Sequence, residues 1–131
     1  MTSDSFSSSL RAYRERGFFK EIKILRGIER ESLRVNKNGK ISQKNHPKNL
    51  GSPLTNKDIT TDFAEALVEL VTPTFESPEE LFDHLNLLHR FLYSELVDEM
   101  LWNFSMPCAF TNEKEIRIAE YGNSNLSLIH I

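Results

Sequence analysis

Gly27-Ile28-Glu29-Arg30-Glu31-Ser32-Leu33-Arg34-Val35 is the stretch on which the fold turns. Read as a strand, it sends alternate side chains to one face, so Gly27, Glu29, Glu31, Leu33 and Val35 point the same way. Glu29 and Glu31 then stand about 7 Å apart along the backbone, from where two long side chains can lean onto one or two hard cations. A helix fits tolerably too: Leu25, Ile28, Ser32 and Val35 fall near one side and leave Glu29 and Arg30 in water, as a plain solvated element. Periodicity leaves both readings open. Asn38-Gly39, a strong hairpin signal, and the apolar Ile41 directly after it favour the strand.

Working outward, the alternation Ile22-Lys23-Ile24-Leu25 extends that strand toward the N-terminus and predicts one long first strand. Before it, a short helix from Ser9 onwards sets Leu10 and Tyr13 against Arg11, Arg14 and Glu15, with Gly17 as its stop; residues 1–9 read as a frayed start or a helix N-terminus. Downstream, Asn45 to Asp58 carries His46-Pro47, Gly51, Pro53 and Asn56, a long connection of the kind that often serves function. Asp62 and Glu65 form a capping box on paper, and the reading is a single turn there passing into a strand from about Ala66 to Thr72. Glu69 is the lone carboxylate of that apolar run. A charge there must reach water or bind a cation.

Ser77-Pro78-Glu79-Glu80 is the clearest helix start, with a cap, a first-turn proline and a glutamate three residues on. Leu81, Leu85, Leu88, Leu92 and Leu96 follow at helical spacing and predict a packed helix from Pro78 to about Met100. His84 and His89 on it read as polar-edge residues rather than ligands. Trp102 to Cys108 reads as a loop or short strand, Cys108 as a buried small hydrophobe, and Glu113–Glu120 as surface.

The totals exclude more than they select. The chain has 131 residues, enough for one modest core, and a net charge of −3 gives no basic footprint for nucleic acid. Hydrophobic residues make up 39% and charged residues 27%, ordinary for a globular protein, and no apolar run approaches the roughly 20 residues of a membrane helix. The N-terminus lacks a basic-then-apolar leader pattern, so a cytoplasmic location is the expectation. One cysteine forbids an internal disulfide, and the four histidines are not paired at ligand spacing. No Gly-x-x-x-x-Gly-Lys-Ser/Thr loop, Gly-x-Gly-x-x-Gly, Gly-x-Ser-x-Gly or His-Glu-x-x-His occurs. Any handling of ATP therefore falls to acidic residues holding magnesium on a sheet, and the inventory offers Glu29, Glu31, Asp62 and Glu69.

Blocks along the chain resemble the N-terminal part of proteobacterial glutamate–cysteine ligase. They are Gly27 to Asn36, His46-Pro47 with Leu50-Gly51-Ser52, Leu54-Thr55, Ile59 to Leu67, Glu69 and Thr72-Pro73. The likeness continues through Leu88-His89-Arg90, Trp102, Ser105-Met106-Pro107-Cys108, Tyr121-Gly122 and Ser124-Asn125. It implies an α+β fold, part of a glutamine-synthetase-like curved, mostly antiparallel sheet with packing helices. It implies ATP-dependent joining of the L-glutamate γ-carboxylate to the amine of L-cysteine through a γ-glutamyl phosphate, the first step of glutathione synthesis. The same resemblance makes Glu29, Glu31, Asp62 and Glu69 ligands for Mg2+ (or Mn2+), with Glu69 also near the amino-acid substrate.

From Leu126 to Ile131 nothing matches the family, which continues with a glycine, a lysine and a Tyr-Arg pair. Residues 1–125 are therefore expected to be the N-terminal portion of a ligase catalytic domain, and 126–131 an artefactual tail at a truncated end. Asn56 stands where a histidine is common. Two alternatives stay open: a related carboxylate–amine ligase with a different amine, and a non-catalytic fragment or binding module. Family members run to several hundred residues, so this chain alone is expected to be catalytically silent.

Overall fold

Four antiparallel strands, backed on one face by a long helix, form the framework of the computed structural model, which describes residues 3–20 and 22–120. In chain order the elements are helix α1 (Ser3–Glu15), strands β1 (Glu29–Asn36), β2 (Ile59–Thr60) and β3 (Leu67–Val71), helix α2 (Pro78–Glu95) and strand β4 (Glu99–Trp102). The sheet order is β2-β3-β1-β4, so the Glu-x-Glu stretch is a strand, and a central one. This is the α+β arrangement expected, an antiparallel sheet with packing helices.

β1 pairs with β3 from Glu29↔Val71 to Leu33↔Leu67, and with β4 from Leu33↔Trp102 to Asn36↔Glu99. The hairpin signal holds. Gly39, at φ 73°, donates to the Asn36 carbonyl at 2.9 Å, and Ile41 bridges back to Val35. The return arm is only a bridge, because Ile41 turns its amide to the Ala109 carbonyl (2.9 Å) instead of extending a ladder.

α2 starts as read: the Ser77 hydroxyl accepts from the Glu80 amide and Pro78 occupies the first turn. Its buried stripe is Leu81, Leu85, Leu88 and Leu92, of which the last three pack with Ile59, Val68, Leu70 and Leu101 of the sheet. A second cluster of Val35, Ile41, Ala66 and Cys108 fills the far end, where burial raises the Cys108 thiol pKa and confirms it as a small hydrophobe.

Three boundaries differ from the sequence reading. β1 begins at Glu29, not Ile22; among the described residues no strand pairs with residues 22–25, and Ile22, Ile24 and Leu25 are exposed. α1 begins at Ser3 rather than Ser9, its serines absorbed by Ser8 and Ser9 hydroxyls donating to the Ser5 carbonyl. α2 ends at Glu95, ahead of Met100, because Asp98 takes φ 60° and redirects the chain into β4. The Asp62–Glu65 segment is the expected turn into β3, but Glu65 is not a cap. Its buried carboxylate accepts the amides of His46 (2.8 Å) and Glu120 (2.7 Å), tying two distant segments to the start of β3.

Candidate functional site

Period-two alternation sorts the charges of β1 by sign. Glu29 and Glu31 stand on one face of the sheet, and Arg30 and Arg34 on the other. The register then brings the β3 carboxylate to the β1 pair: Glu31 lies directly opposite Glu69, and Glu69 in turn opposite Thr60 of β2. Directly opposite residues in an antiparallel pair have Cβ atoms only about 5 Å apart. Asp62, two residues beyond Thr60, completes the group. Burial, followed by the charges of Glu29, Glu31 and Asp62, raises the Glu69 carboxyl above the ordinary glutamate value. The charges of Glu29, Glu31 and Asp62 thus all bear on Glu69, from β1 and from the segment after β2.

Like charges on one sheet face repel and cost stability, so their persistence asks for a counter-charge. The donor set is all oxygen, the chemistry of a hard divalent cation such as Mg2+ or Mn2+. In donor type the residues fit such an ion. Among the described residues, however, no three His, Cys, Asp or Glu side chains stand in a ligating arrangement, so the carboxylates share a face without converging on a point. Beside them a shallow cavity of about 340 Å³ is lined by Gly27, Ile28, Glu29, Val71, Thr72 and Thr74. The Thr72 hydroxyl accepts from the Ile28 amide at 2.8 Å there, closing the strand end beneath Glu29.

The opposite face is a structural one. Arg34 is fully buried, 0% exposed; it pairs with Glu99 at 2.8 Å and donates to the carbonyls of Lys44 (3.0 Å) and Glu65 (2.9 Å). Ser42 also donates to Glu99. Sequence reading missed Glu99 by placing it in the helix, and no local signal marks it, since its partner is 65 residues away. It also left Arg30 unassigned. Arg30 reaches His89 of α2 at 2.8 Å and Asn103 at 2.5 Å.

Comparison with known proteins was decisive. A profile of the glutamate-cysteine ligase family matches residues 9–130. The chain belongs to the glutamate–cysteine ligase family. The ligase of Pseudomonas putida strain W619 is 52% identical over 102 residues, which is 78% of this chain and 19% of that protein. A crystal structure of the Francisella tularensis glutamate–cysteine ligase in complex with AMP superposes with a TM-score of 0.73 at 43% identity. It covers 77% of this chain and 20% of the other. A bifunctional glutathione synthetase from Pasteurella multocida gives a TM-score of 0.68 at 36% identity over 72% of this chain and 13% of its own. The chain thus spans about a fifth of the length of the curated ligases it matches. Residues 126–131, expected to fall outside the resemblance, lie outside the described residues. Among the described residues no helix is long and apolar enough to cross a membrane.

Proposed function

We propose that this chain supplies the acidic sheet face of a glutamate–cysteine ligase, an enzyme forming γ-glutamylcysteine from L-glutamate, L-cysteine and ATP through a γ-glutamyl phosphate. The observation that carries the reading is the register Glu31↔Glu69, which gathers Glu29, Glu31, Asp62 and Glu69 on one open face. The AMP in the Francisella tularensis relative supports nucleotide use. Glu29, Glu31, Asp62 and Glu69 would hold Mg2+ or Mn2+, which neutralises phosphate charge during phosphoryl transfer. The residues' own task is to present four carboxylates from β1, β3 and the segment after β2, so that two anionic reactants meet in one orientation. Glu69, whose carboxyl pKa is raised by burial and by the neighbouring acids, faces the amino-acid substrate in this reading. A cytoplasmic setting, where ATP and both amino acids are found together, belongs to the same proposal.

With a fifth of a ligase present, the 131-residue chain should show no ADP release with glutamate, cysteine and MgATP. The test is a chimera in which this chain's matching region replaces that of the Pseudomonas putida ligase. The chimera should release ADP only with both amino acids, and Glu31→Gln or Glu69→Gln should cut that rate about a hundredfold or more, beyond the loss typical of supporting residues. A folded but inactive chimera, or a Glu31→Gln chimera at the parental rate, would refute the assignment.

A further inference from the structure

Among the described residues, strand pairing holds the half of β1 that bears the acids on one side. β3 pairs with Glu29 through Leu33, but β4 pairs only with Leu33 through Asn36. Among the described residues no strand or bridge meets the β4-facing edge of Glu29–Ser32, because the chain leaves the sheet after Trp102. Had β4 continued in register, Asn103 would lie opposite Ser32. A side-chain tie stands there instead.

Arg30, between the two acids and on the other face of the sheet, spans the gap. Its guanidinium meets the Asn103 side-chain oxygen at 2.5 Å and His89 Nε2 at 2.8 Å. An arginine can only donate, so Nε2 must accept; Nδ1 then carries the proton and donates to the Leu85 carbonyl at 2.9 Å. The imidazole is thereby locked in one tautomer and one orientation, on the helix that packs beneath the sheet. Burial first, with Arg30's charge adding, lowers the His89 pKa against the opposing pull of the Leu85 carbonyl, which keeps the ring neutral and accepting at pH 7.

We infer that Arg30 and His89 are positioning residues, fixing the unpaired edge of β1 to α2 and to the end of β4 so that Glu29 and Glu31 keep their place opposite β3. The inference rests on the reading of the acidic face as a divalent-cation site. Neither residue touches the cation. Their part is to stop the acidic half-strand from fraying away from Glu69, a demand that a two-sided ladder would otherwise meet.

The probe is Mn2+ alone, its binding to the 131-residue chain followed by electron paramagnetic resonance, with thermal unfolding recorded in parallel. Glu31→Gln should abolish saturable binding. His89→Leu should weaken it roughly tenfold, and His89→Gln, which keeps an acceptor for Arg30, should restore most of the affinity. Leu88→Ala, a neighbouring core change, should lower the melting temperature while leaving Mn2+ affinity unchanged at temperatures where the chain is folded. If Glu31→Gln abolishes binding but His89→Leu matches the parent, positioning is refuted and the cation reading stands. If Leu88→Ala weakens binding as much as His89→Leu, the effect is general destabilisation and the inference fails. If the parent chain binds no more Mn2+ than Glu31→Gln, the cation reading itself fails and takes the inference with it.

Discussion

Glu69 is where function and stability pull apart. Its carboxyl is raised by burial and by three neighbouring acids, so in the folded state it is harder to ionise than in the unfolded chain. Such a group destabilises the fold at neutral pH, and the deficit is relieved as pH falls through its folded pKa. Glu69→Gln should therefore stabilise the metal-free chain at pH 7 by about 0.5 kcal/mol, seen as a higher urea midpoint. A lower midpoint would mean that the acids are already compensated. His46 and His89 have the opposite sense. Both pKa values are lowered, chiefly by burial, so each is neutral when folded and takes up a proton more readily when unfolded. Their contribution is complete above the ordinary histidine value near 6.5 and is lost as pH falls below it toward the folded values. Urea midpoints should fall between pH 7.5 and pH 5.5, and less steeply in His89→Gln. Arg34 carries the largest single-residue stake: Glu99→Leu strands a fully buried guanidinium and should cost about 3–5 kcal/mol by urea denaturation.

At the level of elements, α2 is the part whose formation follows most directly from local chemistry. The cap, the proline and the leucine spacing agree, and each is satisfied in the structure. Leu92, fully buried against the sheet, should cost about 2–5 kcal/mol when cut to alanine, whereas Ser77→Ala, removing a long 3.4 Å cap bond, should cost about 0.5 kcal/mol in the same denaturation experiment. β1 is the contrasting case. Its alternation announced a strand and the right face for both glutamates, yet its start was placed seven residues too early. Ile22, Ile24 and Leu25 alternate as well as any strand, but among the described residues no strand pairs with them. Alternation reports the ability to form a strand, and a partner decides whether one forms. β4 failed for the same reason in reverse: the helix read to about Met100 took in Glu99, but Asp98 turns the backbone to positive φ and the strand begins directly after it.

Among the described residues, the outermost strands of the sheet are β2 and β4, and apolar side chains remain exposed on both helices, between them and just after α2: Phe6, Leu10, Leu25, Phe82, Leu87, Phe91 and Val97, the last 69% exposed. Exposed strand edges and apolar patches favour association. The chain should elute progressively earlier in size-exclusion chromatography with light scattering as concentration rises, and a strictly monomeric profile up to high micromolar concentration would contradict this.

By itself the sequence determined the α+β class, the position of α2, the hairpin at Asn38-Gly39, the side of β1 on which Glu29 and Glu31 stand, and through its long blocks the ligase family. The helix, the hairpin and the face of the glutamates follow from periods and capping patterns that act within a few residues; the α+β class and the family came through the resemblance of the long blocks. Only the tertiary structure decided that Glu31 faces Glu69, that Arg34 and Glu99 form a buried pair, that Glu65 braces two loops, and that Arg30 reaches His89 and Asn103. Each of these joins residues tens of positions apart. Such pairings are set by strand register and by which face of the sheet the helix covers, and neither is encoded in any local spacing.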